Sequence, residues 1–66
     1  MTTTIALMGA GGKMGMRLSK NLTGSPFAVR HVEPGEVGRQ RLKDELGLPA
    51  MPVEAALDGA DVVILA

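Results

Sequence analysis

Ile5-Ala6-Leu7-Met8-Gly9-Ala10-Gly11-Gly12-Lys13-Met14-Gly15 is the stretch that decides the fold. Its first four residues are a continuous apolar run, the pattern of a strand buried on both faces. Glycines then crowd the chain at Gly9, Gly11, Gly12 and Gly15. From about Lys13 to Thr23 the periodicity becomes helical. Met14, Leu18 and Leu22 recur at i, i+4 and i+8 on one face, with Arg17, Ser19 and Lys20 elsewhere. Gly24-Ser25-Pro26 stops that helix with a C-terminal glycine followed by proline.

The rest of the chain repeats the alternation. Phe27 to Glu33 has strand character, and Arg30 and His31 make it polar enough for a place near a sheet edge. Pro34 suits a first helical turn, where its missing N–H costs nothing. The helix it opens is expected to run to about Leu46, turn Val37, Leu42 and Leu46 inward and stop at Gly47. Arg39-Gln40-Arg41 and Lys43-Asp44-Glu45 read as its wet face. Leu48 to Met51 suggests a short edge strand, Val53 to Leu57 a short helix, and Asp61 to Ala66 a last apolar strand. Strands and helices alternating on this scale give right-handed crossovers and a parallel sheet. The expected architecture is therefore α/β: a Rossmann-type parallel sheet with flanking helices, in strand order 3-2-1-4. The first and last strands should be central neighbours, because uninterrupted apolar runs need burial on both faces.

A glycine-rich turn between a buried strand and a helix has a specific use. Gly9 lets the chain leave the strand tightly. A missing Cβ at Gly11 or Gly12 allows a pyrophosphate to approach the backbone, and Gly15 allows helix and strand to pack closely. Free N–H groups of the first helical turn, with the positive end of the helix dipole, then face the phosphates. The spacing is G-x-x-G-x-x-G at Gly9, Gly12 and Gly15, not the plain G-x-G-x-x-G, since Met14 stands where the third glycine of the plain form belongs. A mononucleotide P-loop does not fit, because no Ser or Thr follows Lys13. Lys13 is read two ways, as charge beside the phosphates or as a solvated lysine at a helix start. Glu33, at the end of the second strand and roughly 20 residues beyond the turn, is placed to accept hydrogen bonds from the adenine ribose hydroxyls, which favours NAD. Arg30, His31 and Arg39 lie near enough in sequence to leave NADP open. The candidate cofactor contacts are thus Gly9, Gly11, Gly12, Lys13, Met14, Gly15 and Glu33.

Composition removes other classes. The chain has 66 residues, about half an ordinary domain, with seven basic and seven acidic side chains that cancel. Neither a polyanion-binding surface nor a base-stacking platform is present, since Phe27 is the sole aromatic. The absence of cysteine excludes disulfides and thiolate metal sites, and one histidine builds no metal site alone. It also suits a reducing cytosol. No signal peptide is read at the N-terminus, and the five methionines read as core filler. His31 has no catalytic companion on its strand, which points to a structural or rim position. The closing run Asp61-Val62-Val63-Ile64-Leu65-Ala66 is of the kind covered in a parallel sheet, so further chain is expected to follow it.

Met14-Gly15-Met16-Arg17-Leu18-Ser19-Lys20-Asn21-Leu22 resembles the M-G-x-x-[ML]-[AS]-x-N-L stretch of the 6-phosphogluconate and 3-hydroxyisobutyrate dehydrogenase group. Ala60-Asp61-Val62-Val63-Ile64-Leu65-Ala66 is similar to that group's fourth strand, and Gly11-Gly12-Lys13-Met14-Gly15 also looks like the turns of prephenate dehydrogenases and dihydrodipicolinate reductases. The resemblance covers nearly the whole chain and is poor for substrate. It implies that residues 1–66 are the N-terminal part of a dinucleotide-binding domain, followed by a helical domain that completes the active site and often a homodimer. It further implies cytoplasmic NAD(P)-dependent hydride transfer to or from a small hydroxy or oxo acid, a sugar acid in one branch. The family's catalytic lysine, histidine or asparagine residues would lie beyond position 66, so no catalytic residue is assigned. The competing reading is a dinucleotide-sensing module that catalyses nothing.

Overall fold

The computed structural model describes residues 2–66. Along the chain run β1 (Thr4–Met8), α1 (Lys13–Leu22), β2 (Ala28–Val32), α2 (Glu36–Arg41), a π-helical turn over Leu42–Leu46, α3 (Val53–Leu57) and β3 (Val62–Leu65). The strands form one parallel sheet in the order β2-β1-β3. Ile5 pairs in register with Val29 on one side and Val62 on the other, and Met8 with Val32 and Leu65. The expected central pairing of the first and last strands therefore forms.

Successive side chains of β1 point to opposite faces, and both faces are covered. Leu7 lies with Ala10 and Leu42 in a cluster closed by Leu18 and Leu22 of α1 and Leu46 of the π-helical turn. Ala6 lies with Val32 and Ala56 under α3. Two helical layers thus sandwich β1, whose Ile5, Ala6 and Leu7 are all buried. The carboxyl ends of the strands are left as the one place where the chain order reverses, with β2 to one side of β1 and β3 to the other. In open parallel sheets that is where ligands bind.

Some expectations fail for local reasons. No strand forms at Leu48–Met51, so the order is the expected one without its outer strand. Pro49 and Pro52 carry no N–H, and the Leu48 N–H donates to the Leu42 carbonyl at 3.2 Å to close the preceding helix. Only the Met51 N–H reaches β2, donating to His31 O at 2.9 Å. The second helix begins at Glu36 rather than Pro34, with Gly35 extended as its N-cap. Val37 is 73% exposed instead of inward-facing, because Gly38 takes the contact side. Met14 is likewise 54% exposed: α1 buries Gly15 and Ser19, and small residues bring its backbone closer to β1 than a methionine would. Of the two positions expected for His31, structural or rim, the buried structural one is taken.

Candidate functional site: the turn between β1 and α1

Every peptide group of the turn finds a partner within the protein. The N–H groups of Gly9 and Ala10 both donate to Val32 O, at 2.9 and 3.0 Å, and the Ala66 N–H donates to Met8 O. The Ala10 carbonyl accepts Ser19 Oγ at 3.3 Å. Gly11 N–H donates to Glu33 Oε1 at 2.9 Å, and Gly12 N–H closes the turn onto Gly9 O at 3.0 Å. The Gly11 carbonyl accepts a guanidinium N–H of Arg41 at 2.9 Å, while the Gly12 carbonyl starts α1 by accepting from Met16 N–H. At that point the partners run out. The amide N–H groups of Lys13, Met14 and Gly15 have no acceptor among the described residues, and no side chain caps the helix. Three donors at the positive end of a ten-residue helix form an anion cradle.

The four glycines of the turn have different reasons to be glycine. Gly9 has φ +73°, the left-handed region. A Cβ on Gly15 would overlap the Gly9 carbonyl, so Gly15 sets the distance between helix and strand. One on Gly11 would overlap the Gly38 carbonyl, so Gly11 serves the approach of α2. Gly12 is the exception. Its Cβ would meet only Gly9 O, at 3.4 Å, and the space beyond is open. Of Gly11 and Gly12, which the sequence leaves as alternatives for the close approach, only Gly12 presents its bare α-carbon to solvent.

Glu33 follows β2 directly, and its two carboxylate oxygens accept different amides: Oε1 from Gly11 and Oε2 from Gly35, each at 2.9 Å. It ties the glycine turn to the start of α2. Each oxygen keeps a second lone pair for another donor. Glu33 also lines an open cleft of about 720 Å³ over the ends of β1 and β2, with Met8, Val32, Ala50, Met51, Pro52 and Val53 as apolar walls and Arg39 as the cationic member.

The basic residues near Glu33 in sequence separate in space. Arg30 points to the α3 side and donates to the carbonyls of Ala55, Ala56 and Asp58, where its charge complements a helix C-terminus. His31 is 7% exposed on the opposite face, with Nε2 buried and unpartnered, and desolvation lowers its pKa below the usual 6.5. Only Arg39 stays beside the cleft, its guanidinium donating to the backbone carbonyls of Glu33 and Pro34. Lys13 is exposed at the helix start. Among the described residues no group of three or more His, Asp or Glu could hold a metal ion, and no helix is long and apolar enough to cross a membrane.

Sequence reasoning missed Gly38, Arg41 and Ser19. Gly38 had a signal: glycine inside an otherwise polar helix costs about 1 kcal/mol against alanine, so its presence points to a close approach. Arg41 had none, since it reads as a solvated residue between Gln40 and Leu42.

No family model matches the chain. Two curated relatives named D-apionate oxidoisomerase match it almost end to end. The one from Cupriavidus necator is 65% identical over 66 residues, covering 100% of this chain and 24% of that protein. The one from Rhizobium rhizogenes is 64% identical over 64 residues, covering 97% and 23%. The chain therefore spans about a quarter of the length of the curated relatives it matches. A crystal structure described as a semialdehyde dehydrogenase NAD-binding protein from Cupriavidus necator, in complex with calcium and NAD, superposes with a TM-score of 0.96 at 65% identity, covering 100% of this chain and 24% of that one. A crystal structure from Jannaschia sp. CCS1 gives 0.87 at 37% identity, covering 98% and 23%. The fold of this chain is the Rossmann-type α/β arrangement, shared with the NAD-binding protein from Cupriavidus necator.

Proposed function

We propose that the chain is the NAD-binding module of an oxidoreductase that transfers hydride between the nicotinamide cofactor and a small hydroxy or oxo acid of the sugar-acid class. The observation that carries this reading is the row of three unpartnered amides at Lys13, Met14 and Gly15, opening beside the bare α-carbon of Gly12. A diphosphate fits there because nothing else in the turn is left to bond, and a side chain at position 12 would fill the space. Likeness in sequence to the two D-apionate oxidoisomerases, and in structure to the chain crystallised with NAD, supports the choice of cofactor and of substrate class.

In this reading the N–H groups of Lys13, Met14 and Gly15 hold the diphosphate, helped by the helix dipole. Glu33 accepts the adenine ribose hydroxyls on its spare lone pairs, and the apolar walls of the cleft take the adenosine. Gly9 and Gly11 act through backbone shape, their own N–H groups being engaged within the protein. When bound, NAD supplies a hydride acceptor at its nicotinamide ring. Residues that move the substrate proton lie outside this chain. We assign residues 1–66 to the first part of the dinucleotide-binding domain, with the remainder of that domain and a helical domain that completes the substrate site and a homodimer outside this chain. We place the protein in the cytoplasm and in the 6-phosphogluconate dehydrogenase-like superfamily, on the motifs at Met14–Leu22 and Ala60–Ala66. Calorimetric titration of the full-length protein and its Gly12→Val variant with NADH tests the cradle. Equal affinities would refute it. NADH formation across a panel of sugar acids tests the substrate class, and activity only on unrelated alcohols would overturn that part.

A further inference from the structure

We propose that Arg41 is a positioning residue for the dinucleotide turn, holding the Gly11–Gly12 peptide plane in the one orientation that leaves the α1 cradle open to a diphosphate. The proposal rests on reading the α1 start as that cradle. The peptide linking Gly11 to Gly12 lies between two residues without side chains, where rotation of the plane meets little steric resistance. Its N–H is held by Gly9 O at 3.0 Å and its carbonyl by Arg41 at 2.9 Å. The neighbouring peptide is clamped in the same manner, its carbonyl by Ser19 Oγ and its N–H by Glu33. With the guanidinium removed, the Gly11 carbonyl is left half-buried and unpaired. The plane is then no longer fixed from its carbonyl side, and a flip breaks the Gly12–Gly9 bond. It also turns the carbonyl towards Gly9 O, where the Gly12 N–H had pointed, so the turn loses the shape that presents the α1 amides.

Gly38 makes the reach possible. It lies one helical turn before Arg41, so the two share a side of α2. A Cβ at Gly38 would stand 2.7 Å from Glu33 Cγ and Cδ, and one on Gly11 would overlap the Gly38 carbonyl. Because neither is present, α2 packs directly on the turn and delivers the Arg41 guanidinium to the Gly11 carbonyl. The positive charge behind the turn adds to the pull on a diphosphate.

The test is Arg41→Met in the full-length protein, which keeps an apolar stem and removes the charged donor, with Arg41→Lys as the conservative variant. NADH affinity is measured by calorimetry, and adenosine, which lacks the diphosphate, is measured as its competitor. Loss of a charge-assisted hydrogen bond predicts at least about tenfold weaker NADH binding for Arg41→Met, with adenosine affinity changed by less than about twofold and Arg41→Lys recovering most of the loss. Equal losses for both ligands would show a merely structural role and overturn the proposal, as would unchanged NADH binding. Gly12→Val separates the two levels. If it abolishes NADH binding while Arg41→Met is inert, only the role of Arg41 falls; if it too leaves binding intact, the cradle falls and the role of Arg41 with it.

Discussion

Gly12→Ser is expected to move stability and cofactor affinity in opposite directions. Gly12 is the N-cap of α1 at φ −75° and ψ 178°, an extended conformation open to any residue. A Cβ there meets only Gly9 O at 3.4 Å, an ordinary contact, so no strain opposes the change. Serine is also a preferred N-cap, because its hydroxyl accepts the N–H of the second or third helical residue. Here those are Met14 and Gly15, two of the amides without a partner. Gain over glycine at an N-cap is a few tenths of a kcal/mol, so the unliganded melting temperature should stay level or rise by roughly 1–3 °C. The same hydroxyl occupies the space and the donors that a diphosphate needs. Removing one charge-assisted hydrogen bond costs about 1.5–3 kcal/mol, which is roughly ten- to a hundredfold in affinity. Gly11→Ala should lower both stability and affinity, since moving α2 also draws Arg41 from the Gly11 carbonyl. Its Cβ overlaps the Gly38 carbonyl, so α2 must move, at an overpacking cost of about 1–3 kcal/mol. Melting curves without ligand and calorimetric titrations with NADH, on the parent and both variants, give a shift in stability and a shift in affinity for each variant. A Gly12→Ser protein that melts like the parent and binds NADH as tightly would refute the argument, because the amides would then have no ligand to lose.

Glu33→Gln should raise NADP use relative to NAD, since a carboxylate facing a 2′-phosphate repels it by a few kcal/mol; the kcat/KM ratio for the two cofactors is the measurement. The same variant should also melt earlier, because an amide cannot accept the Gly11 and Gly35 N–H groups at once. Leu42→Ala, at a fully buried position between β1 and α1, should cost about 2–5 kcal/mol in chemical denaturation without changing how NADH and adenosine affinities compare. His31 is held neutral by burial, its folded pKa below the unfolded value of 6.5, so the unfolded chain binds more protons between those two pKa values. Stability from this group is complete above pH 6.5 and falls as pH drops from there towards the folded pKa; His31→Phe should flatten that part of the melting-temperature profile.

Sequence alone determined the alternation of elements, the parallel sheet and the place of the glycine turn, because each is written in short-range pattern. The apolar run at Ile5–Met8 states burial directly, and the i, i+4 spacing in α1 and the glycine stops at Gly24 and Gly47 state local dihedrals. The central position of β1 followed from its lack of any polar face, and the place of Glu33 at the end of β2 from the strand pattern before it. Tertiary structure alone decided which glycine serves which purpose. Gly11 and Gly12 are neighbours with the same side chain, yet one packs against Gly38 and the other faces open space. It alone withdrew Leu48–Met51 from the sheet, sent Arg30 to α3 and His31 into the interior, and brought Arg41 from a helix that reads as solvated onto the turn. The reason is one of range. Periodicity encodes what a residue does within its own element, whereas close approach between α2 and the turn depends on contacts spanning some 30 residues of chain, which no local pattern records.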